Sequence, residues 1–169
     1  IINNLAKSHY RWGQAADGTL RMPTGAGVGA GPYHSQSNEA WFYHTPGLKI
    51  VYPSNAYDAK GLLAAAIEDP NPVMVFEHKA LYRSVEGEVP EDYYTEQIGK
   101  AKTVRSGQDI SIITYGYGVI WAEQLAETTT NYSLALLDLR SLVPKACEAI
   151  SDSVLRTVKV IVVNKYSPT

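Results

Sequence analysis

The stretch 48-LKIVYPSNAYDAKGLLAAAIEDPNPVMVFEH-78 decides the fold of this chain. Its first residues, "LKIVYPS", are mostly apolar and predict a short buried strand. A helix should follow, with Ser54 or Asn55 as its cap and Asp58 in its first turn. The run 69–72, "DPNP", must end that helix, because proline lacks an amide hydrogen and constrains the residue before it. "VMVFEH" predicts a second strand, so the stretch is a βαβ unit with parallel strands.

The same alternation returns near the carboxyl end of the chain. "ISIITYG", "LALLDLR" and "VKVIVV" predict three strands, and "VIWAEQLAETTT" and "PKACEAISDSV" predict two helices between them, the second with Pro144 in its first turn. The acid-rich residues 84–105 show no apolar periodicity and are interpreted as a linker. We therefore expect an open, parallel α/β layer in each half. Three strands are few for a sheet, which indicates completion by other segments or a fragment of a longer chain.

Composition excludes several classes of protein. The 169 residues carry a formal charge of −2, and the 15 lysines and arginines are scattered, so neither a nucleic acid nor a membrane is an expected partner. The single cysteine, Cys147, rules out an internal disulfide and a cysteine-based zinc site, and a reducing, intracellular setting fits best. No segment has the length of a membrane span. The start lacks Met and is typical of the middle of a longer chain.

A second notable stretch, 24-TGAGVGAGPYHSQSNEAWF-42, places glycine at every second position from Gly25 to Gly31. Residues 25–30 match the dinucleotide pattern G-x-G-x-x-A, but "LRMPT" before them is broken by Pro23 and Pro32 follows instead of a helix. We expect the glycines to allow positive φ angles and close passage of the backbone beside another surface. The "YGYG" run at 115–118 is interpreted as a tight turn between strand and helix.

His34 ends the glycine stretch. Ser35 or Ser37 is expected to cap a short helix that has Glu39 in its first turn. An imidazole at the positive end of a helix dipole is favoured in its neutral form, and such a group exchanges protons near neutral pH. A structural or exposed histidine and a catalytic one both stay open from the residues alone.

The other histidines show no metal-ligand spacing. His9, His44 and His78 are interpreted as structural or solvated. The turn "AIEDPNP" offers helix-terminal carbonyls together with Asp69 and Asn71, which are oxygen donors suited to a cation, but a solvated turn explains the same residues.

Taken together, "RMPTGAGVGAGPYHSQSNEAWFYHTPGLKIVYPSNAYDAKGLL", "ISIITYG" and "LLDLRSLVP" resemble the β subunit, or β half, of the thiamine-diphosphate-dependent 2-oxo acid dehydrogenases. The resemblance covers almost the whole chain. It implies the later part of a transketolase-like pyrimidine-binding domain at residues 1–83, a linker at 84–105, and the first part of a transketolase C-terminal domain at 106–169. It also places the family's glutamate that contacts the cofactor before Ile1, so the 169 residues alone are expected to be inactive.

By the same resemblance, His34 matches the histidine of the family's H-S-Q-S motif, which assists acyl transfer to lipoamide. Thiamine diphosphate and Mg²⁺ are expected mainly on a partner α subunit or domain of an α2β2-type assembly. The lipoyl domain of an acyltransferase component and a 2-oxo acid are the other expected partners. The implied compartment is the bacterial cytoplasm or the mitochondrial matrix.

The resemblance further implies a potassium ion held by Thr19, the carbonyl of Ala66, Asp69 and Asn71. Asn164 and Lys165 stand where the family commonly has His-Glu, and they receive no function.

On substrate, Glu39 and the run 81–83, "LYR", favour the branched-chain type, which acts on 3-methyl-2-oxobutanoate. The alternatives are a pyruvate or acetoin dehydrogenase β subunit, and a non-catalytic α/β module that binds a partner subunit.

Overall fold

The computed structural model describes residues 1–164, which form two four-stranded sheets with helices packed against them. The strands are β1 (Thr19–Thr24), β2 (Lys49–Val51), β3 (Val73–His78), β4 (Lys102–Arg105), β5 (Ile110–Thr114), β6 (Leu134–Asp138), β7 (Ser141–Val143) and β8 (Val160–Val162). The helices are α1 (Ser8–Trp12), α2 (Glu39–Tyr43), α3 (Ala56–Glu68), α4 (Leu81–Ser84), α5 (Tyr117–Thr128) and α6 (Cys147–Thr157), with 3₁₀ turns at Leu5–Lys7 and Pro32–His34.

The predicted βαβ unit is confirmed. Strands β2 and β3 pair in parallel, and α3 connects them. Asn55 caps α3, because its side-chain oxygen accepts a hydrogen bond from the amide of Asp58 at 2.9 Å. The helix ends at Glu68, immediately before Asp69 and Pro70. Every residue of β3 is buried, as expected for a strand covered on both faces of its sheet.

Strand β1 is not among the predicted elements, because Pro23 indicates a break in the sequence pattern. The strand lies at the edge of the sheet β1-β3-β2-β7 and pairs with β3 alone. An edge strand leaves half of its amide groups without a strand partner, so a proline costs no ladder hydrogen bond there. The rule that a proline interrupts a strand therefore does not hold for this edge strand.

The second half has the predicted order β5, α5, β6, α6, β8, and β5 pairs in parallel with both β6 and β8. Two expectations need correction. Helix α6 begins at Cys147, so Pro144 precedes the helix instead of occupying its first turn. Residues 84–105, interpreted as a linker, contain β4, which pairs antiparallel with β6. The second sheet is therefore mixed and not purely parallel.

The two halves of the chain share a sheet. Strand β7 belongs to the second half by sequence, yet it pairs antiparallel with β2 in the first sheet. Leu142 of β7 is buried in the same apolar cluster as Ile50, Met74 and Phe76. The first sheet is thus mixed as well, with parallel β1, β3 and β2 and one antiparallel edge.

The segment between the halves packs firmly on α3. The amide of Glu96 donates to the carbonyl of Gly61 at 3.0 Å, and the ring of Tyr94 stacks on Tyr57 with centroids 4.6 Å apart. The Arg140 guanidinium lies 2.9 Å from Asp58 and 2.8 Å from Glu96. These contacts tie the segment and the second half to the βαβ unit.

No helix among residues 1–164 is both long enough and apolar enough to cross a membrane.

Candidate functional site

The glycine stretch adopts the backbone that its spacing predicts. Gly25, Gly27, Gly29 and Gly31 have φ angles of +80°, +109°, +70° and +74°. These values lie in the region that disfavours any side chain, so the alternation of glycine with other residues sets the path of the loop. The expectation of positive φ angles is confirmed.

The first two of these glycines also permit close packing within the chain. A Cβ atom on Gly25 would lie 2.2 Å from Nε2 of His78, and one on Gly27 would lie 3.0 Å from the Cβ of Ala80. Gly29 and Gly31 have no neighbouring atom of the described residues within 4 Å of such a position. The loop therefore packs against the end of β3 at its base and presents bare backbone further out.

The base of this loop is closed by the carbonyl of Gln36. That carbonyl accepts hydrogen bonds from the amide of Gly25 at 2.8 Å and from the hydroxyl of Thr24 at 2.7 Å. Because β1 and β3 run parallel and Thr24 is paired with His78, both strands deliver their last residues to the same edge of the sheet. Ligands of open α/β sheets bind at such carboxyl edges.

His34 lies at the exposed end of the loop, in the 3₁₀ turn Pro32–His34. Its carbonyl accepts a hydrogen bond from the Lys79 ammonium, which fixes the backbone and leaves the imidazole on the surface. Lys79 is a contact that sequence reasoning missed, since 45 positions separate the two residues.

The predicted cap of α2 is wrong. The helix begins at Glu39, follows Asn38 and has no side-chain cap. The hydroxyl of Ser35 instead donates to the carbonyl of Gly31 at 2.7 Å. The helix has only five residues and starts five positions after His34, so the histidine does not belong to its first turn.

The other three histidines differ in their exposure to solvent. His78 is 2% exposed, and its ring stacks on Tyr117 with centroids 4.9 Å apart. His9 and His44 are exposed. Within the described part of the chain, no group of three or more histidine, cysteine or acidic residues could hold a metal ion.

The turn within "YGYG" brings the second half of the chain to the end of β3, where the glycine loop also packs. Strand β5 ends at Thr114 and α5 begins at Tyr117, so the tight turn is confirmed. Gly116 packs on the ring of Tyr52, where a Cβ atom would lie 2.5 Å from Cε1. The ring of Tyr117 stacks on that of His78, so the candidate site lies where the two halves of the chain meet.

Glu39 is buried at this junction, 6% exposed. Its Oε1 atom lies 3.2 Å from the Tyr115 hydroxyl, which also donates to Oδ1 of Asn164 at 2.7 Å. Burial raises the pKa of Glu39, against the opposing effects of its own amide and of Tyr115. Lys165 lies outside the described residues.

The proposed potassium ligands come together in pairs. The Thr19 hydroxyl donates to the carbonyl of Ala66 at 2.9 Å, and the Asn71 side-chain amide donates to Asp69 at 3.0 Å. The Lys49 ammonium lies 2.5 Å from Asp69. Although burial alone would raise the pKa of Asp69, its bonds to Lys49 and Asn71 outweigh burial and lower that pKa.

Leu81 and Tyr82, the first residues of "LYR", line a cavity of about 360 Å³ between α3 and α4, whereas Arg83 is exposed. An ion pair borders the cavity, in which Arg21 contacts Glu77 through two hydrogen bonds of 2.6 and 2.7 Å. The Tyr82 hydroxyl bonds to the same carboxylate. Burial raises the pKa of Tyr82 to about 12, with the hydrogen bond to Glu77 acting in the same direction.

Comparison with known proteins defines the class. Residues 2–85 match the family described as "Transketolase, pyrimidine binding domain", and residues 99–169 match "Transketolase, C-terminal domain". The chain belongs to this transketolase-like family. A solved structure titled "Split gene transketolase, inactive beta4 tetramer" has the same fold, with a TM-score of 0.78 over 98% of this chain and 52% of that chain, at 19% identity.

Two curated relatives are closer in sequence. The "2-oxoisovalerate dehydrogenase subunit beta" of Bacillus subtilis is 47% identical over 98% of this chain and 52% of the relative. The "Acetoin:2,6-dichlorophenolindophenol oxidoreductase subunit beta" of Cupriavidus necator is 43% identical over 99% of this chain and 51% of the relative. The chain thus spans about half the length of these relatives, both of which are named as beta subunits.

Proposed function

We propose that this chain is part of the β subunit of a thiamine-diphosphate-dependent 2-oxo acid dehydrogenase of the branched-chain type. Such an enzyme decarboxylates a substrate such as 3-methyl-2-oxobutanoate and transfers the acyl group to lipoamide. The observation that carries the proposal is His34, an exposed imidazole held at the end of a glycine loop on the carboxyl edge of the first sheet. The B. subtilis relative, named for this substrate, supports it.

The role of His34 is to supply a proton during acyl transfer. When the disulfide bond of the lipoyl group breaks, one sulfur becomes bonded to the acyl carbon and the other leaves as a thiolate. The thiolate accepts the proton that the imidazole carries, and the imidazole recovers one from solvent. The anchored carbonyl of His34 keeps the ring at the surface, where a lipoyl arm can reach it.

The residues of this chain suit only part of the cofactor. When bound, thiamine diphosphate would supply the group that stabilises the charge left by loss of CO₂ from the 2-oxo acid. The bare backbone at Gly29 and Gly31 has room for a flat ring or a partner surface. We propose that the diphosphate and its Mg²⁺ bind mainly to an α subunit or domain.

We also propose a potassium ion between the start of β1 and the end of α3. Thr19, the Ala66 carbonyl, Asp69 and Asn71 supply hard oxygen donors of the kind that such cations take. Lys49 at present balances the charge of Asp69, and its partly exposed side chain can turn to solvent when a cation enters.

The proposed assembly is of the α2β2 type, with the lipoyl domain of an acyltransferase component as a transient partner. Tyr33 is 89% exposed and Val28 49% exposed on the glycine loop, which gives such partners an apolar surface to contact. The proposed compartment is the bacterial cytoplasm or the mitochondrial matrix.

Replacement of His34 by alanine in the full-length enzyme tests the main proposal. We expect acylation of the lipoyl domain to fall by about 10²- to 10⁴-fold. Decarboxylation followed with an artificial electron acceptor should change far less, because no lipoyl thiolate forms in that assay. His44→Ala, which removes another exposed imidazole near the same segment, is the control and should leave both rates unchanged. Equal loss of both rates in His34→Ala would show that His34 serves the cofactor or the fold instead.

The second candidate is an acetoin-cleaving enzyme, which the 43% identity to the C. necator relative supports. Turnover of 3-methyl-2-oxobutanoate, pyruvate and acetoin by the intact assembly separates the two candidates. A preference for acetoin or pyruvate would contradict the branched-chain proposal and leave the general class unchanged.

A further inference from the structure

Glu39 is a buried acid without a counter-ion. None of the ion pairs formed by residues 1–164 includes it. Within the same residues, its Oε2 atom is the one buried side-chain oxygen or nitrogen that has no hydrogen-bond partner. An ionised carboxylate is unfavourable in such a place, and a buried group of this kind commonly binds a proton instead.

The titratable groups around Glu39 within residues 1–164 do not offset a negative charge. Tyr115 and Tyr52 interact with it, and both are phenols. Burial raises the pKa of Tyr52, so this phenol is also uncharged. Lys145 and His44 lie near α2, but both contact Tyr43 at the opposite end of the helix.

Counting hydrogens gives the direction of the bonds. The Tyr115 hydroxyl has one hydrogen, and its acceptors within residues 1–164 include Asn164 at 2.7 Å and Glu39 at 3.2 Å. If the hydrogen points to the nearer acceptor, the contact with Glu39 is a hydrogen bond only when Glu39 itself carries the proton. Glu39 then donates to Tyr115 through Oε1 and Tyr115 donates to Asn164, while Oε2 of Glu39 still lacks a partner among the described residues but is an uncharged carbonyl oxygen.

The position of Glu39 links this arrangement to His34. Two contacts hold the segment 34–39 in place. The Gln36 carbonyl accepts hydrogen bonds from Thr24 and Gly25, and Glu39, the last residue of the segment, contacts the Tyr115 hydroxyl. We propose that Glu39 is a protonated carboxylic acid in the folded protein and that its hydrogen bond to Tyr115 positions the segment that carries His34. The positioning part rests on the proposed function, whereas the protonation part does not.

Infrared spectroscopy of the full-length protein tests the protonation. The difference spectrum between wild type and Glu39→Gln should contain the carbonyl band of a protonated acid at neutral pH. Glu148→Gln, which replaces an exposed glutamate at the start of α6, should give only the bands of an ionised carboxylate. A carboxylate signal from Glu39 at neutral pH overturns the proposal, because Tyr115 would then donate to an ionised Glu39.

The pH dependence of stability gives an independent measure. Since the folded pKa of Glu39 is raised, its favourable contribution is complete below the pKa of an unfolded glutamate and disappears as the pH rises through the folded value. The stability of Glu39→Gln should not show this decrease with rising pH, and the unfolding midpoint of the variant should exceed that of wild type at high pH. Identical profiles for the two proteins contradict the proposal.

Acyl transfer tests the positioning role. Glu39→Ala, which cannot donate to Tyr115, is expected to lower acylation of the lipoyl domain by roughly 10- to 100-fold. Glu39→Gln should restore most of that rate, because an amide donates in the same place. An unchanged rate in Glu39→Ala overturns the positioning role. A failure of the proposed function itself would be seen separately, as unchanged acyl transfer in His34→Ala.

Discussion

Gly25 packs its α-carbon against the buried imidazole of His78. This contact needs both the missing side chain and the φ angle of +80°. Gly29 has a similar φ angle of +70°, but no atom lies within 4 Å of the place that a Cβ would occupy. The two glycines therefore separate the cost of backbone strain from the cost of steric overlap.

Gly25→Ala is expected to destabilise the full-length protein by about 2–5 kcal/mol, the sum of left-handed strain and overpacking. Gly29→Ala should cost only about 1–2 kcal/mol, because strain alone applies. Urea denaturation measures both values. Equal losses in the two variants would show that His78 moves aside without cost.

The conformation and burial of single residues differ in how well they can be predicted from the sequence. Alternating glycines allow the positive φ angles to be predicted, because few other residues adopt them. The burial of Glu39 could not be predicted, because its partner Tyr115 lies 76 positions away. Its apolar surroundings form only when the two halves of the chain meet.

At the level of elements, the start of β1 meets the end of α3 through the bond from Thr19 to the Ala66 carbonyl. Strand β1 could not be predicted because Pro23 excludes a central strand, and only the fold shows that β1 is an edge. The βαβ unit was predictable because its apolar runs and its helix cap are all local in sequence.

The proposed potassium ion predicts a cation-dependent stability at this junction. The unfolding midpoint of the full-length protein should be higher in potassium chloride than in lithium chloride at equal ionic strength. The free energy of unfolding should be larger by about 1–3 kcal/mol when the potassium concentration is well above its Kd. Asp69→Asn should abolish the difference. Glu68→Gln changes the neighbouring carboxylate, which bonds to Tyr93, and should preserve it. Equal midpoints of the wild type in the two salts would contradict the site.

Across the whole molecule, Arg140 joins the two sheets. It is 5% exposed and contacts Asp58 of α3, Glu96 and the carbonyl of Lys100. Two positions earlier in the chain, Asp138 accepts a hydrogen bond from Ser54 at 2.6 Å, and burial raises the pKa of Asp138 to about 6. These long-range contacts could not be predicted, since no local pattern pairs a loop residue with an acid 82 positions away.

Removing the Arg140 charge should be costly. Arg140→Met is expected to lower the free energy of unfolding by about 3–5 kcal/mol, because it leaves the buried Asp58 with only the more distant Lys102 ammonium, 3.8 Å away, as a cationic neighbour among residues 1–164. Adding Asp58→Asn to that variant should recover part of the loss. Arg156→Met, which removes an exposed arginine of α6, should change stability by less than about 0.5 kcal/mol. Guanidinium denaturation of the three variants checks this, and a loss in Arg140→Met no greater than in Arg156→Met would contradict it.

The pairing of β7 with β2 has a consequence for how genes of this kind can be divided. The stretch between the two family matches, residues 86–98, looks in sequence like a natural place for a gene to break. A break there would put β2 and β7 on separate polypeptides and leave the backbone edge of Ile50 and Val51 open until the pieces meet. An uncovered strand edge is prone to pair with the wrong chain. A split gene of this fold would therefore depend on prompt association of its two products.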